Sequence, residues 1–261
     1  MLLPRIIPCL LVQNKALVKT FQFKDPKYVG DPINAVKIFN EKEVDEIIIL
    51  DIDCTIKGVS PDLNMIKNLA LECRMPLCYG GGIKSVDQAR EIFSLGVEKI
   101  AISSAAIENP NLISEMSKIF GSQSVVVVLD VKKNINTNKY EIYINNGELN
   151  TKIDPFIFSL EAQNLGAGEI LLNSIDNDGL MKGYDLDLIR QIRNIISIPV
   201  TVLGGAGSLI DFGNVIQEHG IIGVASGSFF IFKGKFKAVL INYPSDLEKK
   251  YLIENYFINK K

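Results

Sequence analysis

Short apolar runs rich in β-branched residues recur along the chain with amphipathic stretches between them, which is the pattern of a parallel sheet built from βαβ units. Eight such runs stand at 5–12, 46–51, 76–79, 99–102, 124–130, 169–172, 199–203 and 221–225. Helices are predicted to start near Pro32, Asp62, Ser85, Asn109, Pro155, Asp185, Ser208 and Ser245. All are residue types that helix starts prefer. Eight such units in 261 residues predict an α/β fold, a single-domain (β/α)8 TIM barrel over 1–261, rather than an open doubly wound sheet. The stretch 139–150 alternates and carries Asn145-Asn146-Gly147, which predicts a hairpin inserted after the fifth strand. Residues 258–261 read as a frayed tail.

The chain also repeats itself. Gly80-Gly81-Gly82-Ile83-Lys84-Ser85 closes one strand, and Ser103-Ser104 closes the next. In the second half Gly204-Gly205-Ala206-Gly207-Ser208 and then Gly227-Ser228 do the same at nearly the same spacing. This is the mark of a duplicated half-barrel. A phosphate held without lysine needs converging backbone N–H groups, and therefore glycines where a Cβ would block the approach. The helix start that follows adds free N–H groups and a positive dipole end. Two cradles across one barrel mouth, at Gly81, Gly82, Ser103 and Ser104 and at Gly204, Gly205, Gly227 and Ser228, predict a small ligand with a phosphate at each end. The bland alternative is a pair of tight strand-to-helix turns.

Composition narrows the field. The hydrophobic share of 47% is ample for a closed core, and a net charge of −2 offers no field for a nucleic-acid backbone. There is no apolar run long enough to span a bilayer and no signal-like start, so a soluble, cytoplasmic protein is expected. Cys9, Cys54, Cys73 and Cys78 sit in or beside apolar runs without Cys-x-x-Cys spacing. Buried free thiols are expected rather than disulfides or zinc. The one histidine, His219, falls at a helix C-terminus and reads as structural. Neither a nicotinamide fingerprint nor metal-ligand spacing is visible, so no cofactor and no metal are expected.

The residues resemble one family over nearly the whole chain: the cyclase subunit of imidazole glycerol phosphate synthase. The resemblance is carried by Arg5-Ile6-Ile7-Pro8-Cys9-Leu10, Lys19, Gly30-Asp31-Pro32, Asp45-Glu46, Leu50-Asp51-Ile52, Gly80-Gly81-Gly82-Ile83 and Phe120-Gly121-Ser122-Gln123. In the second half it is carried by 166–172, Asp178-Gly179, Gly183-Tyr184-Asp185 and Gly204-Gly205-Ala206-Gly207. The resemblance implies that a glutaminase partner of class I amidotransferase type releases ammonia at the barrel floor. The ammonia then rises to a doubly phosphorylated substrate at the C-terminal face. It further implies ligand contacts at Lys19, Asp51, Asp178 and Gly179, a gate of Arg5, Glu46, Lys99 and Glu169, and a partner contact at Glu98. A salt-bridged plug is the alternative to a gate, since two positive and two negative charges neutralise one another in either case.

Ring closure moves protons at two places, and in the family a carboxylate stands at the end of strand one and another at the end of strand five. The second is present as Asp130, but Cys9-Leu10-Leu11-Val12 places Leu11 where the first should be. Asp53, in a normally uncharged place, is a candidate substitute. Thr20, Asn173, Leu180 and Leu203 also depart from the family pattern at this mouth. The chain therefore looks like the cyclase-like proteins associated with amidination of N-acetylated nucleotide sugars for surface glycans, where a separate ATP-dependent sugar amidotransferase uses the ammonia. Two alternatives are an ordinary cyclase of histidine biosynthesis and a non-catalytic activator of a glutaminase.

Overall fold

The computed structural model of the protein describes residues 2–234 and 236–258. Eight parallel strands form the barrel: β1 Arg5–Gln13, β2 Ile47–Asp51, β3 Leu77–Gly80, β4 Lys99–Ile102, β5 Val125–Lys133, β6 Glu169–Ser174, β7 Val200–Leu203 and β8 Gly223–Ser226. Each pairs with the next, and β8 pairs with β1, so the ring closes. Closure follows from composition. Strands buried on both faces have to be apolar on both faces, and β5 reads Val-Val-Val-Val-Leu before its first polar residue. Residues of one parity, such as Ile6, Leu10, Ile47 and Ile49, pack outward against the helices. The other parity, including Ile7, Cys9, Ile48, Val126, Val128 and Leu171, fills the interior as a separate cluster.

The outer ring consists of α1 Pro32–Glu41, α2 Leu63–Glu72, α3 Val86–Ser94, α4 Asn111–Phe120, α5 Pro155–Asn164, α6 Leu186–Arg193, α7 Leu209–His219 and α8 Asp246–Ile253. Side-chain caps fix most of their starts. Asp31, Asp62, Ser85, Asp154 and Asp185 each accept a first-turn N–H, and Ser208 with Asp211 and Ser245 with Glu248 form capping boxes. Each cap is worth about 1 kcal/mol. The start read near Asn109 moves to Asn111, because Asn109 ends a separate short helix, Ser104–Glu108. Of the tail, Ile258 closes a π-helical turn, Glu254–Ile258, and residues 259–261 lie outside the described residues.

One element was invisible in the pattern. Beyond β1 the chain folds into an antiparallel hairpin, Ala16–Phe21 with Lys24–Gly30. Its tight turns fall at Asn14-Lys15 and Gln22-Phe23, all four at positive φ, so no glycine marks them. Its second strand is almost wholly exposed and carries no apolar alternation. Beyond β5 the corresponding hairpin is formed by Tyr140–Ile144 and Leu149–Asn150, with Asn145, Asn146 and Gly147 all at positive φ in the turn.

The two halves are tied in the same way. Ile52 N donates to Val12 O and Ile175 N to Val131 O, both at 2.9 Å. The Asp53 carboxylate accepts the Asn14 N–H at 2.6 Å and the Asp176 carboxylate the Lys133 N–H at 2.9 Å. Asp53 and Asp176 thus hold equivalent places, each anchoring the hairpin that follows the first strand of its half-barrel.

Candidate functional site

At the N-terminal end of the strands four charges close the floor. Arg5 contacts Glu46 and also reaches Glu169 at 2.7 Å, while Lys99 reaches Glu46 at 2.9 Å and Glu169 at 3.0 Å. The Thr201 hydroxyl adds a bond to Glu169. Burial alone would lower Arg5 and Lys99, but the charges of Glu169 and Glu46 outweigh it and hold both above their ordinary values. Burial pushes Glu169 up, and the opposing charges of Arg5 and Lys99 overcome it and leave the carboxylate below its usual range. Two basic and two acidic side chains thus offset one another and cross-link the barrel floor, as buried charges require. Glu98, beside it, is exposed and accepts the Leu77 N–H at 2.8 Å.

At the opposite end the strand termini surround a cavity of about 270 Å³. The first glycine turn opens directly into it. Gly81 and Gly82, at φ +123° and +71°, line the cavity together with Ser103 and Ser104. A Cβ on Gly81 would stand 2.3 Å from the Asp51 carbonyl oxygen. The second turn is set differently. Gly227 lines the cavity, but Gly179, Gly204 and Gly205 stand outside its lining. The loop 177–183 lies against this turn. Gly183 N donates to Gly205 O at 2.9 Å, and a Cβ on Gly205 would fall 2.0 Å from the Gly183 carbonyl oxygen. These glycines are thus required by the approach of neighbouring backbone, whatever binds beside them. Next to Gly227, Ser228 also stands outside the cavity lining, and its buried hydroxyl has no hydrogen-bond partner among the described residues.

Asp130 stands near the end of β5, in register with Asn173 on β6, and both face the cavity. Its carboxylate accepts from Asn173 Nδ2 at 2.9 Å and from the Ser103 hydroxyl at 3.3 Å. Burial raises its pKa to about 6, against those two hydrogen bonds, with a smaller push from Asp178. That value suits a proton carrier near neutrality. Four strands round the ring, at the same level of β1, Leu11 also lines the cavity and offers no titratable atom.

Asp53 does not join this group. It is not among the cavity-lining residues, and its carboxylate is held by Lys57 Nζ at 2.8 Å as well as by Asn14 N. Burial would raise it, yet those bonds leave it below its ordinary value. It is an ionised anchor of the first hairpin and not a stand-in acid, because the hairpin it serves takes up its carboxylate. Lys19 and Asp178 form a buried pair at 2.8 Å in the cavity wall, with the Thr20 hydroxyl donating to the second carboxylate oxygen at 2.9 Å. Asp51 lines the cavity but commits one oxygen to the Asp53 and Cys54 N–H groups.

Residues that pattern reading missed come from the two hairpins. Phe23, Asn145 and Asn146 all line the cavity. The hairpins also reach across the mouth: Gln22 Nε2 donates to Asp176 O and Asn146 Nδ2 to Ile52 O. The Asn-Asn-Gly turn was a visible signal of the second hairpin, though not of its place over the cavity. Lys84, within the first glycine motif, lines the rim as well. All four cysteines are free, Cys9, Cys54 and Cys78 buried and Cys73 half-buried. Among the described residues no helix is long and apolar enough to cross a membrane.

Fold and site together define a (β/α)8 barrel with a cavity at the C-terminal strand ends and a charge ring at the opposite end. Residues 5–237 match the family described as histidine biosynthesis protein. The chain belongs to that family, in its HisF-type branch of imidazole glycerol phosphate synthase cyclase subunits. It is 56% identical over 252 residues to a provisionally named imidazole glycerol phosphate synthase subunit HisF of Leptospira interrogans, covering 97% of this chain and 99% of that one. A similarly provisional HisF subunit of Vibrio vulnificus is 54% identical over 254 residues, 97% of this chain and 98% of that one. The imidazole glycerol phosphate synthase subunit HisF of Clostridium botulinum strain Kyoto is 39% identical over 233 residues, 89% of this chain and 92% of that one.

Proposed function

We propose that this chain takes up ammonia at its charge ring from a glutaminase subunit of class I amidotransferase type. It passes the ammonia along the apolar barrel interior and holds a phosphorylated small molecule at the mouth. The gate residues are Arg5, Glu46, Lys99 and Glu169, with Glu98 facing the partner. The ligand's phosphates sit at the Gly81–Gly82 and Ser103–Ser104 turns and at the Gly179, Gly204, Gly205, Gly227 and Ser228 cluster, with Lys19, Asp51 and Asp178 around its centre. In this reading the ammonia serves not imidazole ring closure but the amidination of an N-acetylated nucleotide sugar by a separate ATP-dependent amidotransferase.

The observation that carries this reading is that Asp130 has no carboxyl in the equivalent place across the cavity, while Asp51 and Asp178, which also line it, are engaged, Asp178 by Lys19 and Thr20 and Asp51 by the Asp53 and Cys54 N–H groups. Asp130 has Leu11 in the equivalent place across the barrel, and Asp53 is bound to Lys57 and Asn14 N instead of facing the ligand. Losing one of two proton-transfer groups costs roughly 100- to 10,000-fold. The ordinary cyclase reading needs Asp53 as that second group, and its geometry argues against it. The higher identity to the provisionally named chains than to the Clostridium chain is consistent with a separate branch.

The test is direct. Purified protein supplied with ammonium salts and the bisphosphorylated ribulosyl formimino substrate of histidine biosynthesis is followed by ultraviolet absorbance. No cyclisation above background is expected, and turnover at an ordinary enzymatic rate would overturn the reading.

A further inference from the structure

The wall of the cavity is divided. Asp130 and Asn173 stand side by side on β5 and β6, with the Ser103 hydroxyl bonded to the first. From β7 round to β2 the lining is apolar instead: Leu203 on β7, Cys9 and Leu11 on β1, and Leu50 on β2, in register with Leu11. Leu203 is buried, whereas Leu11 and Leu50 are half-buried and keep apolar surface toward the open space. Two glycines make way for this side. A Cβ on Gly80 would stand 2.8 Å from Leu50 Cδ2, so bare backbone there lets Leu50 lie over β3 beside the Gly81 turn. A Cβ on Gly227 would lie 3.2 Å from Lys19 Cδ and Cε, which places the methylenes of that lysine along the same wall.

The charged groups of the wall are engaged within the chain. Lys19 is paired with Asp178, which also takes the Thr20 hydroxyl, Asp51 accepts two N–H groups, and Asp130 accepts from Asn173 and Ser103. A ligand hydroxyl set against Leu11, Leu50 and Leu203 therefore gives up its water and meets no partner, which is unfavourable. A hydrocarbon segment in the same place removes apolar surface from water. Each methylene so covered tightens binding by roughly fourfold. The anionic end has its own seat at the rim, where Gly81, Gly82, Ser103, Ser104 and Lys84 line the cavity.

We infer that the carbon framework of the ligand, between its phosphate ends, is hydrocarbon-like and not polyhydroxylated, and that Leu11 and Leu203 set this preference. The inference rests on the reading of the cavity as a seat for a phosphorylated small molecule. It adds the class of that molecule: a phosphate ester of an aliphatic or aromatic alcohol, not of a sugar.

The test uses the full chain and three probes: inorganic phosphate, hexyl phosphate and sorbitol 6-phosphate. The two esters share a six-carbon chain, without and with hydroxyls. Binding is followed by NMR at the Gly81 and Gly82 amides and the Leu11 methyl groups. Hexyl phosphate is expected to bind roughly ten- to a hundredfold more tightly than sorbitol 6-phosphate and to shift the Leu11 methyls. Leu11→Asn and Leu203→Thr add no charge, and either serves if the other does not fold. Each should reduce that ratio roughly fivefold or more while leaving inorganic phosphate within about twofold of the parent. Equal or tighter binding of sorbitol 6-phosphate, or folded variants with an unchanged ratio, would overturn the inference alone, since phosphate would still be held. No response of the Gly81 and Gly82 amides to phosphate or to either ester would remove the phosphorylated-ligand reading and the inference with it.

Discussion

At Asp130, burial in the cavity wall raises the carboxyl to about 6, outweighing the hydrogen bonds from Asn173 and Ser103. The ordinary aspartate value is ~3.9, so the folded form binds this proton more tightly than the unfolded chain does. The stability contribution is then greatest below about pH 4 and declines as pH rises toward 6, after which the ionised group is a constant burden of at most about 3 kcal/mol. Asp130→Asn removes that burden. The variant is expected to be more stable than the parent at pH 7.5 by roughly 1–3 kcal/mol, with the gain vanishing near pH 4. Thermal unfolding at the two pH values checks this, and a variant less stable at neutral pH would contradict it.

Among the structural elements, the glycine turns divide into those fixed by neighbours and those fixed by φ alone. Gly205, at φ +114°, lies so close to the Gly183 carbonyl that a Cβ would fall 2.0 Å from it. Gly58, at φ +64°, caps a short helix, and a Cβ there would meet nothing within 4 Å. Gly58→Ala is expected to cost about 1 kcal/mol, the ordinary penalty of a left-handed alanine. Gly205→Ala adds a steric conflict with backbone and is expected to cost at least about twice as much, since the loop 177–183 has to move. Urea unfolding midpoints of the two variants measure the difference. Similar midpoints would mean that the loop yields easily, and that its seat against the second turn is not a constraint.

Across the whole molecule, the floor ring joins β1, β4, β6 and the residue before β2, so its charges link strands distant in sequence. Glu169 sits below its ordinary value because Arg5 and Lys99 outweigh burial. Its contribution is therefore present above the ordinary glutamate range and is lost as pH falls through the lowered folded value. Glu169→Gln leaves Arg5 and Lys99 with one carboxylate between them. It is expected to destabilise by roughly 3–5 kcal/mol near neutral pH, almost equally at low and high salt, because buried pairs are poorly screened. Removing the exposed Arg190–Glu218 pair should change stability by less than about 1 kcal/mol. Calorimetry of both variants at two salt concentrations separates the cases.

The strands, the capped helices and the paired glycine motifs were legible along the chain because each depends on local chemistry: apolar runs, cap residues, and turns that exclude a Cβ. Arg5, Glu46, Lys99 and Glu169 could be placed at strand starts by spacing alone, yet their alternation into one ring depends on closure, which brings together residues as far apart as Arg5 and Glu169. The hairpin Ala16–Phe21 with Lys24–Gly30 leaves no mark in the pattern because non-glycine residues make its turns and its outer strand is polar. The place of Asp53 was illegible for the same reason, since its role is to hold that hairpin. Residue type and order were enough to determine the repeated glycine motifs and the strand ends, while the reading of Leu11 as a missing carboxylate came from the family resemblance. Which carboxylates face the cavity, and that Asn173 is left with an unmet acceptor beside Asp130, only the tertiary structure decided, because burial and hydrogen-bond partners come from segments far apart in the chain.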